Sequence, residues 1–418
     1  MLGAVPARVR DAETYLRELG EELLVAERHP FSFERLPRVA EILEVAGVLG
    51  ADVGARVVAE YATAFRLRGY AGLWPAQTTA PVAVPLAHVR VIAGPWEVRT
   101  TSPPLVVERV QLGEDRFSFE AHGFIAPGAP SHRGLAAAHG SPVPASFTVA
   151  DATGTSATAT SAGGGWSSHT WESRFASSTP LEPTTAWIEI AGQRIDLPPA
   201  TDTTAEARVE DLPAEQDAVL AALWHALAGD AVARHRMGRG AVEDGVEALV
   251  ATGARPSDDQ ALEELGRVWA AISGTGGPPG PLPPPWSVWQ RRRSRADGPV
   301  GQLSLAVRLE DIDGCNLRLD ALHSNKEGFS VQLAASPGTV ILSHPGMRRQ
   351  LVFWAEDDRG NVYLGAPGNN GGSAEMAEGE VELTGPLAPA ARRLRLLPTG
   401  RRRRGVVEVP LDDLVASR

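Results

Sequence analysis

The 418-residue chain is 43% hydrophobic, carries a formal net charge of −11 and holds one cysteine. That length and apolar content support two to four domains, each able to bury a core without staples. The lone Cys315 excludes an intrachain disulfide and a cysteine-built zinc cluster. The acidic excess lies in residues 1–289, with 22 Lys/Arg against 35 Asp/Glu, whereas residues 290–418 hold 18 against 16. Only the last quarter is therefore suited to a polyanion.

The single lysine, Lys326, follows Asn325, so neither Gly163–Gly165 nor Asn369–Gly372 is a phosphate loop. Both glycine runs are expected to be hairpin tips. No stretch reaches the roughly 18 uncharged apolar residues of a membrane span, and the first ten residues offer no signal-peptide core. No membrane association and a cytoplasmic location are expected.

In chain order, helix periodicity comes first. Tyr15, Leu16, Leu19 and Leu23 mark one stripe; Val39, Ile42, Leu43 and Ala46 a second; Val53, Val57, Tyr61, Ala64 and Phe65 a third. Three short helices with one apolar stripe each can share a core, which predicts a small helical bundle over 1–73. A Pro-containing joint, Trp74 to Pro81, precedes a region of period two that predicts a β-sandwich over 83–200. The helical pattern returns in a second bundle over 205–273, with stripes Val219, Leu223, Leu227; Val242, Val246, Leu249; and Leu262, Leu265, Val268, Trp269. Ser257-Asp-Asp-Gln260 reads as a capping box for the last of these helices. Residues 274–297 form a Pro- and Arg-rich linker, a stiff spacer rather than a PxxP ligand, and a second sandwich is expected over 298–418.

The second half repeats the first. Gly154, Pro180-Leu181 and Pro183 answer to Gly360, Pro386-Leu387 and Pro389 at one constant shift of 206 (360 − 154). Leu19 and Phe65 answer to Leu223 and Trp269 at 204, so the duplicated unit includes the helices. Arg116-Phe-Ser-Phe-Glu120 matches Gly328-Phe-Ser-Val-Gln332, and Asp151-Ala-Thr-Gly154 matches Asp357-Asp-Arg-Gly360 as turn tetrads inside hairpins. The return strand Ala186 to Ile190 matches Arg392 to Leu396. About seven such segments in roughly 115 residues suit an antiparallel sandwich. The expected class is α+β: a tandem duplication of a helical bundle followed by an immunoglobulin-like β-sandwich.

An apolar strand, Asp-Asp-x-Gly at 357–360, a Gly-rich stretch, Pro386-Leu-Ala-Pro389 and a closing strand together resemble immunoglobulin-like sandwich modules in uncharacterised proteins of GC-rich bacteria. They are also similar to extracytoplasmic modules of some anti-sigma regulators. The resemblance covers about 60 residues per copy, and the first copy departs from it at Ala152. It implies a fold and no active-site residues.

No histidine has metal-ligand spacing or stands beside a nucleophile elbow. His169, next to Ser167 and Ser168, is a hairpin-tip histidine, since the second copy has Ser373, Ala374 and Glu375 there. Glu375, Glu378, Glu380 and Glu382 are read as a solvated strand face paired with Arg392, Arg393 and Arg395 rather than as a calcium site. Trp96, Trp166, Trp171 and Trp187 offer a sugar platform only if they are exposed. The one candidate binding surface is arginine-rich: Arg401, Arg402, Arg403 and Arg404 form a turn projecting from the second sandwich, and Arg291, Arg292 and Arg293 precede that domain.

The expected function is a non-enzymatic interaction or regulatory protein with a protein partner; nucleic acid is disfavoured and no cofactor, metal or catalytic residue is assigned. The alternatives are an enzyme with a site at the seam between the two units, and a polyanion- or carbohydrate-binding module. An ionisable cluster with strongly perturbed pKa values at that seam would favour the enzyme.

Overall fold

A computed structural model describes residues 10–27, 33, 35–65, 83–101, 104–125, 143–166, 170–198, 205–212, 218–233, 240–273, 298–341, 351–373, 375–383, 385–412 and 414. The architecture is mixed α+β, with two antiparallel sheets and a layer of helices.

The helices lie on the periodic stripes: α1 (Ala12–Glu22), α2 (Arg35–Val45) and α3 (Ala51–Phe65) in the first half, α4 (Ala218–Ala233), α5 (Ala241–Ala251) and α6 (Gln260–Ser273) in the second. Asp11 caps α1 by accepting from Thr14 N at 3.0 Å. Asp259, not Ser257, caps α6, accepting from Ala261 N at 2.9 Å.

The two helical sets share their cores. Ala248 of α5 is buried among Leu16, Leu36, Val39 and Leu43, and Ile42 of α2 is buried among Leu223, Leu227, Val242 and Leu249. Gly245 makes this crossing close, because a Cβ there would stand 2.5 Å from Ile42 Cδ1. Arg35 of α2 and Asp244 of α5, both 1% exposed, form a fork of hydrogen bonds at 2.5 and 2.8 Å across the same contact. The halves thus meet in one helical layer instead of forming two bundles.

The first sheet contains β1 (Val89–Val98), β2 (Leu105–Gly113), β3 (Phe117–Phe124), β4 (Ser146–Asp151), β5 (Ser156–Trp166), β6 (Thr170–Ser177), β7 (Trp187–Ile190) and β8 (Gln193–Asp196). They lie in the order β1-β2-β3-β6-β5-β4-β7-β8. After β9 (Glu206–Asp211), the second sheet contains β10 (Gly301–Leu309), β11 (Asn316–Ser324), β12 (Phe329–Ser336), β13 (Phe353–Asp357), β14 (Val362–Gly372), β15 (Ala377–Leu383), β16 (Arg393–Leu396) and β17 (Arg403–Pro410). Its order, β10-β11-β12-β15-β14-β13-β16-β17, is the same path, with β9 added at the end.

Each body is sandwich-like, with one apolar core, but its ladder is unbroken, because β3 pairs with β6 and β4 with β7. An immunoglobulin-like sandwich of about seven strands split between two sheets is therefore too simple a description. The first sheet folds back so that the Gln193 amide on β8 donates to Glu97 O at 2.6 Å and accepts from Arg99 N at 2.7 Å near the end of β1.

Two differences separate the bodies. Val352, just before β13, together with Trp354 of β13 and Val362 and Leu364 of β14, points outward and is buried under the helices, where Trp354 Nε1 also donates to Thr399 Oγ1 at 2.7 Å. Shifted by 206 these positions are Ser146, Thr148, Ser156 and Thr158, all exposed. The helical layer consequently has an apolar seat on the second sheet, whereas the equivalent face of the first sheet is polar and exposed.

The second difference is the last hairpin. Ile188 maps to Leu394 at 206, yet Gln193 maps to Val407 at 214 by strand register, so eight residues are inserted before β17. A tight turn with Ala191 at φ 52° and Gly192 at φ 81° joins β7 to β8. The inserted residues instead lengthen β17, which pairs its Arg403–Glu408 with Asp211–Glu206 of β9. Residues 206–211 are thus a strand of the second sheet, although the sequence places them at the start of a helical bundle.

Candidate functional site

The two sheets meet along β1 and β10. Ser304 Oγ donates to Val91 O at 2.7 Å, Arg318 Nη1 to Ala87 O at 3.1 Å, and Asn316 Nδ2 to Val84 O at 3.0 Å. Val89, Val91 and Ala321 form a small apolar contact beside these bonds.

Around that contact lies a cluster of charge. Glu378 on β15 accepts from Arg116 and Arg318 at 3.3 Å each and also pairs with Arg174. Arg116 and Arg174 belong to the first body, so this carboxylate fastens the sheets together. Arg174 is itself held by Gln111 Oε1 and Ser118 Oγ, each at 3.2 Å. Arg318 and Asp320, 2% and 3% exposed, pair at 2.7 Å. Arg109 on β2, 2% exposed, pairs with Glu120 and reaches across to His323 on β11, with Nη1 2.8 Å from Nε2.

The electrostatics follow from this geometry. Burial, with the Arg109 guanidinium beside it, pushes the His323 imidazole down to about 3. Burial raises Asp320, and Arg318 offsets this only in part. Burial also opposes ionisation of Glu378, but Arg174, Arg116 and Arg318 together hold it below the usual carboxylate range. With Asp115 also paired to Arg116, four arginines stand against four carboxylates and a neutral imidazole, so the cluster is balanced. Because Arg109 can only donate, His323 Nε2 is the acceptor, and the lone pair a general base would use is engaged.

The cluster corrects one expectation. Glu378 does not face Arg392, Arg393 or Arg395, because β15 lies between β12 and β14 while β16 pairs with β13 and β17. Arg395 instead bonds Glu356 at 2.5 Å, and Arg392 bonds Asp412 at 2.6 Å. The signal for the seam was present in the sequence as charged residues set inside apolar strands, Arg109 in β2 and Arg318 and Asp320 in β11. Period alone does not tell a buried charge from a solvated one.

The arginine turn is bound into the molecule rather than projecting freely. Asp313 Oδ2 accepts from Arg401 N at 2.5 Å and Arg402 N at 2.9 Å. Arg401 pairs with Glu41 of α2, Arg403 with Asp311 at 2.6 Å, and Arg404 with Glu210 of β9 at 2.9 Å. Arg402 is exposed. Arg291, Arg292 and Arg293, like Ser167, Ser168 and His169, lie outside the described residues.

Cys315 is fully buried, and burial pushes its thiol up to about 12. Trp171 is core, while Trp96 and Trp187 are half-buried, with the Arg194 guanidinium 4.9 Å over the Trp187 ring. Among the described residues no group of three or more His, Cys, Asp or Glu side chains is arranged to hold a metal. Among them, too, no helix is long and apolar enough to cross a membrane.

No family model matches the chain, and no curated protein matches it. Among solved structures it is similar to one described as the crystal structure of the conserved domain protein from Bacillus anthracis. That similarity is at 9% identity, covering 71% of this chain and 72% of that one, with a TM-score of 0.18. A score that low carries no argument about fold or function.

Proposed function

We propose that the chain is a non-enzymatic interaction protein, built by tandem duplication, whose two halves are joined at a charged seam and which binds a protein partner in the cytoplasm. The duplication is supported by the common strand order and by the shift of 206 that relates β4, β5 and β7 to β13, β14 and β16. The observation that carries the functional reading is the seam. Its ionisable groups are spent on one another, and its histidine has its acceptor nitrogen occupied by Arg109. Such a cluster orients two bodies; it does not move protons for a substrate.

The enzyme reading retains a specific support, the perturbed ionisable groups of the seam, with His323 lowered and Asp320 raised by burial. The two readings separate in one experiment. The full chain, immobilised at physiological salt and exposed to extract of its native host, is expected to retain one protein at fixed stoichiometry. Retention should survive His323→Gln. A chain that retains no protein but turns over a small molecule, with turnover lost in His323→Gln, would replace this reading with the enzyme. The polyanion alternative is tested on the same support. Retention of one defined nucleic acid that falls steeply with salt and disappears in Arg402→Ser would favour it.

A further inference from the structure

Among the described residues, Arg109 and His323 form a cross-seam pair whose attraction depends on a titratable partner staying neutral. A second proton on the imidazole has to go to Nε2, the atom that accepts from Arg109 Nη1 at 2.8 Å. That proton removes the acceptor and sets two cations head to head in a site where Arg109 is 2% exposed. Glu120, which holds the other end of Arg109, belongs to the same sheet as Arg109 and fastens nothing across the seam. The groups that face His323 along its own sheet, Gln302 on β10 and Ser330 on β12, are uncharged.

We propose that the seam is an acid-released latch, in which protonation of His323 opposite Arg109 opens the β2–β11 edge of the seam while the Glu378 fastening holds the sheets together as a hinge. The carboxylate fastenings outlast it. Glu378 stays ionised below the usual carboxylate range, so its bonds to Arg116 and Arg174 persist after the imidazole pair has gone. Asp320 acts in the opposite sense, because its raised pKa lets the closed seam take up a proton more readily, and it reduces the net slope. Arg318 remains charged throughout.

The first half supplies the control. By the register that maps Phe117 onto Phe329, a shift of 212, the counterpart of His323 is Gln111, which accepts from Ser118 Oγ at 2.9 Å. Glutamine at 323 therefore keeps an acceptor for Arg109 and loses the titration. The latch is independent of the nature of the partner, so it stands or falls apart from the functional reading above.

The test is the distance between the sheets as a function of pH. Spin labels are placed on the full chain at Thr158→Cys on the first sheet and Glu327→Cys on the second, both exposed sites. The native Cys315 stays unlabelled because its thiol is buried and protonated. The wild-type background is expected to gain a longer distance below about pH 6.5, with the open-to-closed ratio rising by up to about tenfold per pH unit while far-UV circular dichroism is retained. His323→Gln should show one short distance over the same range, and so should Arg109→Gln, which removes the opposing cation. A wild-type distance that holds until the strand signal itself is lost would overturn the latch. So would either variant opening at the same pH as wild type.

Discussion

Asp151 and Asp357 do the same work with different atoms. Each carboxylate accepts two backbone N–H groups of its own turn, from Thr153 and Thr155 at 2.9 and 3.0 Å in the first body and from Arg359 and Asn361 at 2.9 Å each in the second. In the first body the other oxygen takes Glu182 N directly at 2.7 Å. In the second, Tyr363 stands between, donating to Asp357 at 2.8 Å and accepting from Ala388 N at 3.2 Å. The small Ala157 at the matching position of the first body lets the chain close up to the carboxylate. Tyr363→Phe should therefore strand the buried Ala388 N–H and lower stability by about 1–3 kcal/mol, read from the denaturant midpoint at unchanged slope. Gly154 and Gly360, at φ 86° and 80°, end the two turns in the left-handed region, with no atom within 4 Å of where a Cβ would stand. The obstacle to a side chain there is the backbone alone. Gly360→Val should cost about 1–2 kcal/mol by thermal melting, and an unchanged melting temperature would refute the strain argument.

Among the elements, one set of four outward positions decides where the helices sit. Trp354 is 2% exposed beneath the helical layer, and its counterpart Thr148 is exposed. Trp354→Thr should therefore cost about 3–5 kcal/mol, whereas Thr148→Val should change stability by less than about 0.5 kcal/mol, both measured by equilibrium unfolding. The arginine turn is a second decision at this scale. The inserted hairpin gives β17 the length to receive β9 and brings Arg401 to Glu41 and Arg404 to Glu210. These arginines are 22–36% exposed, so each pair is screened. Arg401, Arg403 and Arg404 changed together to serine should lower stability by about 1–2 kcal/mol, a modest loss that a freely solvated turn would not show.

At the scale of the whole molecule, the seam makes stability depend on pH. With the seam closed His323 is neutral down to about 3, while an imidazole released from it takes its proton near 6.5. Between those values the unfolded chain binds the extra proton, so the contribution of His323 is fully present above about pH 6.5 and is lost as pH falls toward 3. The melting temperature of the wild-type chain should fall over that interval more steeply than that of His323→Gln. Parallel curves would show that His323 is not held neutral by the fold.

The elements themselves were legible without any structure. The stripes Tyr15, Leu16, Leu19 and Val242, Leu249 became buried helix faces, and Phe117-Ser-Phe119 became a strand whose two rings pack 5.9 Å apart in the core. Period, turn tetrads and the constant shift are written within a few residues of each other, because they answer to backbone sterics and to which face of an element is apolar. What the chain does with those elements depends on residues some 200 positions apart. Ile42 meets Gly245, Arg109 meets His323, and Glu378 leaves its expected partners on β16 for three arginines at the seam. A charged side chain reads the same in sequence whether water or an opposite charge will solvate it. Only the packing of one sheet against the other settles which, since burial is a property of the assembled fold.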